Sequence, residues 1–229
     1  MVNTLVLLPG MDGTGELFEP FVQAMGSGYK ILCMRYPGDM AMGYDELEKF
    51  VRKRLPKKSS YVVLGESFSG PIAARLAGSP PRGLAGVILC CTFVKNPRPR
   101  LSAPRWLLDR VPVKTVPVLA MAGVMMGRYS TSNLRVALGR ALAQVSDATL
   151  KARMLAVQSV DATQSLAVAK VPVLYLQAAQ DYVVPKGAAA EVLAHLPSTT
   201  VVSINGPHFL LQTCPIAAAA EVARFTGSV

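Results

Sequence analysis

One serine between small residues, two histidines and one strand-end aspartate have the types and spacing for nucleophilic catalysis. The serine is Ser67, in the stretch YVVLGESFSG at 61–70. Tyr61, Val62, Val63 and Leu64 form a short, β-branched apolar run of the kind that makes a buried strand, and Gly-Glu-Ser-Phe-Ser-Gly follows without a spacer. PIAARLA then reads as a helix, with Pro71 in a first turn that does not need its missing N–H. A serine at the apex of such a strand–turn–helix projects its hydroxyl from a strained backbone, the arrangement of a nucleophile elbow. Gly65 supplies the small residue two positions before the serine, but two positions after it the chain has Ser69, with a glycine only at 70. The expectation is an elbow that closes with slightly more crowding; the alternative is an ordinary strand-to-helix turn that contains serines.

A serine nucleophile needs a base to take its proton, an acid to orient that base, and donors for the oxyanion. The chain has only two histidines. His195 ends the helical stretch AAAEVLAHLP, where a purely structural role is the default, whereas His208 in NGPHFLLQ lies between a strand and the last helix. Loops of that kind sit at the carboxyl ends of strands, beside the elbow, so His208 is the base. Asp181 directly follows the strand pattern YLQAAQ and falls between Ser67 and His208 in the chain. Asp147 and Asp161 are weaker candidates because they lie in or beside helical segments. The predicted catalytic set is Ser67, Asp181 and His208.

These residues need a scaffold that brings strand ends together. Thr4–Leu8 reads as a first buried strand, followed by the glycine-rich loop PGMDGTG at 9–15, which lacks the Gly-Lys-Ser/Thr ending of a phosphate loop. A helix over 17–25, a strand over 29–37 and a helix over 44–55, with Leu47, Phe50 and Val51 on one face, precede the elbow, and GLAGVILCCTF at 83–93 is the next strand. The alternation stops between 95 and 170, a stretch with clustered prolines, a methionine-rich apolar patch and helical patterns over 132–142 and 148–160. It resumes with strands over 171–181 and 199–205 and helices over 186–196 and 216–225. This predicts an α/β fold: a mostly parallel sheet of about six strands, helices on both faces, and a core of 1–94 and 171–229 interrupted by a small helical cap at 95–170.

A chain of 229 residues suits one domain with a substantial core. The longest apolar run, VPVLAMAGVMMG at 116–127, is too short to span a bilayer and contains Pro117, so no transmembrane segment is expected. The amino terminus goes straight into LVLL without a basic segment or cleavage site, which predicts a cytoplasmic protein. Cys33, Cys90 and Cys91 lie in apolar runs and read as small buried hydrophobes, with the adjacent pair on opposite faces of a strand. Cysteine and histidine spacings match no metal site, and no cofactor is expected. The net charge of +10 is spread out, without aromatic interleaving, so nucleic acid is not an expected partner.

Taken together, LLPGMDGTG (7–15), GESFSG (65–70), Asp181 in AAQDYVVP and His208 in GPHFLLQ resemble the α/β-hydrolase superfamily over the whole chain. The chain looks most similar to compact carboxylesterases of the pimeloyl-carrier-protein methyl esterase type, and its first loop is also similar to that of plant phytyl ester synthases and related acyltransferases. The resemblance implies acyl chemistry through a seryl ester. It also implies an oxyanion hole made by the backbone N–H groups of Met11 and Phe68. Many relatives have His-Gly where this chain has Pro9-Gly10, which removes a side chain that could brace the loop. Two catalytic expectations follow: hydrolysis of a small-molecule ester, or thioester or acyl-transfer chemistry on chains held by an acidic acyl carrier protein steered by Arg98, Arg100, Arg105 and Arg110. A non-catalytic ligand-binding module with the same fold is a third. Leu107, Leu108, Val118, Met121, Met125 and Met126 are the expected apolar lining of the acyl pocket.

Overall fold

The computed structural model describes residues 2–101, 106, 110 and 113–229. Six strands form one sheet: β1 (Thr4–Leu8), β2 (Lys30–Cys33), β3 (Tyr61–Glu66), β4 (Leu84–Cys90), β5 (Val173–Gln180) and β6 (Thr200–Pro207). Their order is β2-β1-β3-β4-β5-β6, and every pairing is parallel. Among the described residues the α-helices are α1 (Glu19–Met25), α2 (Tyr44–Arg52), α3 (Gly70–Gly78), α4 (Val118–Met126), α5 (Ser132–Ala143), α6 (Asp147–Ser159), α7 (Thr163–Ala167), α8 (Gly187–His195), α9 (Leu210–Thr213) and α10 (Pro215–Ser228).

Alternation along the central strands produces two cores. Val6, Leu8, Tyr61 and Val63 face one side, with Leu47 and Val51 of α2, Ile72 and Leu76 of α3, and Val192 of α8. Leu5, Leu7, Val62 and Leu64 face the other, with Phe21 of α1, Leu211 of α9 and Val222 of α10. Both faces of β1 and β3 are therefore apolar, which is why these strands read as continuous hydrophobic runs. The chain leaves β1 toward β2 and then crosses to β3 on the opposite side of β1. The strand order reverses between β1 and β3, and the crevice beyond their carboxyl ends is where such sheets bind ligands.

Two cysteine expectations are corrected. Cys33 is exposed, because β2 is a short edge strand whose residues are mostly solvent-facing. Cys90 and Cys91 are both buried but pack into the same core rather than opposite ones. The strand ends at Cys90 and Cys91 turns with φ of 47°, so the alternation stops there. The strand expected over 29–37 and the helix expected over 44–55 also end early, at Cys33 and Arg52.

Between β4 and β5 the regular structure of the described residues is helical apart from one antiparallel bridge, Lys95 to Asp161, with loops between the helices. Thr131 and Ser146 start α5 and α6 by accepting backbone N–H bonds from Leu134 and Thr149. α4 is helical where the sequence shows only an apolar, methionine-rich patch. α7 packs on α3 and α8, beside the sheet.

Candidate active site

The elbow forms as its residue types require. Ser67 has φ of 46°, the left-handed conformation expected of a nucleophile at such a turn. A Cβ at Gly65 would lie 2.8 Å from Ala73 Cβ, so strand and helix touch there only because 65 is a glycine. The displaced glycine has its own cause: a Cβ at Gly70 would overlap the Thr92 side chain, which comes from beyond β4 and donates its hydroxyl hydrogen bond to the Ser67 carbonyl. Ser69 does more than crowd the turn. Fully buried, it donates to the Pro9 carbonyl and pairs with the Tyr36 hydroxyl at 2.7 Å, tying the elbow to the loop after β1.

Asp181 and His208 are the first residues after β5 and β6, so the sheet delivers both to the end where β3 delivers Ser67. His208 Nε2 lies 3.0 Å from Ser67 Oγ, and its Nδ1 lies 2.8 Å from Asp181 Oδ2. The other oxygen of Asp181 accepts two backbone N–H bonds, from Val183 and Val184, each at 2.8 Å. Both His208 and Asp181 side chains are nearly inaccessible to water. In this arrangement the carboxylate can hold the imidazole in the tautomer whose Nε2 accepts the serine proton. His195 ends α8, with Nδ1 beside the Glu191 carbonyl at 3.0 Å and remote from this cluster. Asp161 turns back on Thr163, and Asp147 pairs with Lys151 at 3.0 Å.

Met11 and Phe68, the expected oxyanion donors, line the same pocket as Ser67. The Phe68 peptide is anchored: its carbonyl accepts the Tyr44 hydroxyl at 2.9 Å, and the two rings stack at 4.8 Å. The loop carrying Met11 is braced in a way the sequence does not announce. Arg153, on α6 and almost wholly buried, donates from Nη1 to the Met11 and Asp12 carbonyls at 2.8 Å each and from Nη2 to the Pro37 carbonyl at 3.0 Å. Gly13, with φ of 72°, leaves the room that this guanidinium fills. Arg153 thus takes the bracing role for which a histidine at position 9 is missing. Nothing local marks it, since it is one cation in a mixed helix. Replacing Arg153 by methionine leaves three carbonyls without their donor, and unfolding by urea is expected to show a loss on the order of 3 kcal/mol.

Glu66 is the second residue missed. It is buried at the end of β3, accepts the Gln212 side-chain amide at 2.8 Å, and interacts with the Gly10 N–H at the start of the Met11 loop. Burial is the main force that pushes its carboxyl up from 4.5 to about 7; nearby Asp12 adds to the rise, and the Gln212 and Gly10 bonds and His208 oppose it. The unfolded chain releases this proton near 4.5, while the native state holds it until about 7. Glu66 therefore makes the native state progressively less stable as pH rises through that window. The expected loss is on the order of 3 kcal/mol. Urea titrations at pH 5 and pH 8 should show that fall for the wild type and a flatter dependence for Glu66→Gln.

The pocket at Ser67 has a volume of about 240 Å³ and is walled mainly by Met11, Phe68, Phe93, Val157, Val183 and Val184. The methionines expected there are placed elsewhere. Met126 is buried with Leu17, Ala122 and Leu138, and Met125 packs against that cluster. Met121 and Val118 line a separate apolar pocket with Leu142 and Leu150. Leu107, Leu108 and Arg105 lie outside the described residues. Arg98 stands on the rim of the Ser67 pocket, donating to the Tyr182 and Val183 carbonyls at 2.7 and 2.9 Å, and Arg110 stacks over Trp106. Among the described residues no group of His, Cys, Asp and Glu could hold a metal ion, and no helix is long and apolar enough to cross a membrane.

Comparison with known proteins agrees with this architecture. The family model described as serine aminopeptidase, S33, matches residues 4–209. Over 81 residues the chain is 36% identical to phytyl ester synthase 1, chloroplastic, of Arabidopsis thaliana, a match that covers 32% of this chain but only 11% of that longer protein. The fold is similar to that of an enol-lactonase from Burkholderia xenovorans, with a TM-score of 0.83 and 16% identity over 98% of this chain and 91% of the other. It is also similar to an esterase from Exiguobacterium antarcticum, with a TM-score of 0.81 and 14% identity over 98% and 92% of the two chains.

Proposed function

Since the chain belongs to the serine aminopeptidase family S33 of the α/β-hydrolases, we propose that it hydrolyses carboxylic esters of small to medium lipophilic acyl groups through a Ser67–His208–Asp181 triad. The observation that carries this reading is the continuous hydrogen-bond chain from Asp181 through His208 to Ser67, ending in an apolar pocket. Ser67 Oγ attacks the ester carbonyl as His208 Nε2 takes its proton, and Asp181 stabilises the imidazolium that results. The N–H groups of Met11 and Phe68 receive the oxyanion. His208 then protonates the departing alkoxide, leaving a seryl ester that water cleaves by the same steps in reverse.

The pocket's chemistry favours an ester over the aminoacyl substrate that the family description suggests. An aminopeptidase must hold a free ammonium, which calls for carboxylates. The described residues that line the pocket at Ser67 include Arg98, Asn96, Gln158 and apolar side chains but neither Asp nor Glu. Phe93, Val157 and Val184 suit a hydrocarbon chain. A pocket of about 240 Å³ favours a short to medium acyl group over a long one. Turnover of p-nitrophenyl esters from acetate to palmitate should peak at short or medium length, and Phe93→Ala should move the optimum to longer chains. A flat series, or an optimum unmoved by that change, would remove Phe93 from the acyl site.

A second reading is acyl transfer to an alcohol, favoured by the similarity over 81 residues to a protein named phytyl ester synthase. Adding a long-chain alcohol to the assay and measuring new ester against free acid separates the two.

A further inference from the structure

α4 is an unusual surface helix. Its nine residues, Val118 to Met126, contain no polar side chain. Ala122 and Met126 are buried and Met121 and Met125 partly so, which accounts for one side of the helix. The opposite stripe, Leu119, Ala120, Gly123 and Val124 at helical spacing, faces solvent, with Leu119 69% and Val124 52% exposed. Val116, just before the helix, is 43% exposed. Contiguous apolar exposure of this kind on a folded protein marks a contact surface.

The charge around the stripe says what it contacts. Exposed cations flank the helix at both ends, Lys114 before it and Arg128 after it. Residues 113–146 also hold Arg135 and Arg140 and contain no Asp or Glu at all. The next acid along the chain is Asp147, which accepts the Lys114 backbone N–H and pairs with Lys151. An apolar stripe between exposed cations is poorly suited to pair with a second copy of itself, because a two-fold contact would bring like charges together. It is complementary to a surface that is apolar beneath and negative on top, the profile of a bilayer with anionic headgroups.

The helix also adjoins the catalytic machinery, through its buried side. The Met125 carbonyl accepts the N–H of Phe209, the residue after His208, at 3.0 Å, and Phe209 packs with the buried side of α4. We infer that the outer face of α4 is a docking surface for an anionic lipid bilayer, seating the protein with its active-site loop close to the membrane. Leu119 and Val124 enter the interfacial region, and Lys114 and Arg128 pair with headgroup phosphates. The inference goes beyond ester hydrolysis and does not depend on it, because the attachment needs none of the catalytic groups.

The test is co-sedimentation of the full chain with vesicles of phosphatidylcholine alone and of phosphatidylcholine mixed with phosphatidylglycerol. Wild type and Ser67→Ala should pellet equally with the mixed vesicles, and raising the salt concentration should weaken both. The double variant Leu119→Glu, Val124→Glu changes only exposed side chains. It should partition about tenfold less or worse, with turnover of soluble p-nitrophenyl acetate unchanged. Lys114→Gln with Arg128→Gln should lose binding to the mixed vesicles by about tenfold as well. Failure of the wild type to pellet with the mixed vesicles would overturn the inference, as would glutamate variants that pellet like wild type. So would a wild-type dimer on size exclusion that Leu119→Glu, Val124→Glu converts to monomer, which would make α4 a self-association surface. Loss of ester turnover in Ser67→Ala bears on the catalytic reading alone.

Discussion

Ser67→Ala is expected to lower kcat/KM for p-nitrophenyl esters by roughly 10⁴- to 10⁶-fold, the range seen when a serine nucleophile acting with its base is removed. The protein should remain folded. Alanine carries the same Cβ into the left-handed turn at φ of 46°, and the hydroxyl it removes contacts only His208 Nε2. The contacts that close the elbow belong to neighbours: Thr92 on the Ser67 carbonyl, Ser69 on Pro9, and the Tyr44 hydroxyl on the Phe68 carbonyl. Circular dichroism and the urea midpoint should therefore match the wild type while a fluorophosphonate probe no longer labels. A variant that keeps its turnover would take Ser67 out of the mechanism, whatever its geometry.

Asp181→Asn should cost about 10⁴-fold in kcat with little change in stability. The reason lies in how the two carboxylate oxygens are used. Oδ1 accepts the backbone N–H groups of Val183 and Val184, so an asparagine keeps its carbonyl oxygen there and must turn its NH₂ toward His208 Nδ1. Nδ1 then has to accept rather than donate, the proton moves to Nε2, and the imidazole faces Ser67 with a hydrogen instead of a lone pair. The loop stays in place while the base is in the wrong tautomer. Rates measured across pH should show kcat depressed at every pH with the thermal midpoint nearly unchanged. A variant within tenfold of wild type would assign the orienting role elsewhere.

These two results bear on different links of the chain. Ser67 tests whether the chemistry is covalent, and Asp181 tests whether the base is organised by the strand-end carboxylate. If both behave as expected, the substrate question narrows to the pocket walled by Phe93, Val157 and Val184. The lining as a whole comes from five separate stretches, beyond β1, β3, β4 and β5 and from α6. No single stretch of sequence contains it.

Much of the frame is legible in the sequence because its causes are local. The apolar runs of β1, β3 and β4 are doubly buried strands, and the small residues around Ser67 can only mean a tight turn. With two histidines in the chain, one of them inside a helix, the candidate for the base is nearly forced. Asp181 and His208 follow because residues that end parallel strands share one edge of the sheet. Other features depend on which segments meet. Cys33 follows an apolar pattern like a buried strand residue yet is exposed, because only the sheet order makes β2 an edge. The glycine at 70 answers to Thr92, 22 positions away, and the serine at 69 to Pro9 and Tyr36. Arg153 reaches the Met11 loop from 142 positions along the chain. The methionines of 116–127 show hydrophobicity but not which partner they cover, and packing places them against Leu17 and Leu138 rather than around Ser67. By itself the sequence determined most element types, the sheet architecture and the candidates for nucleophile, base and acid, since periodicity, turn chemistry and strand-end position are properties of short stretches. The tertiary structure alone decided what braces the Met11 loop, what walls the pocket at Ser67 and which face of α4 stays bare, because those are contacts between segments far apart in the chain.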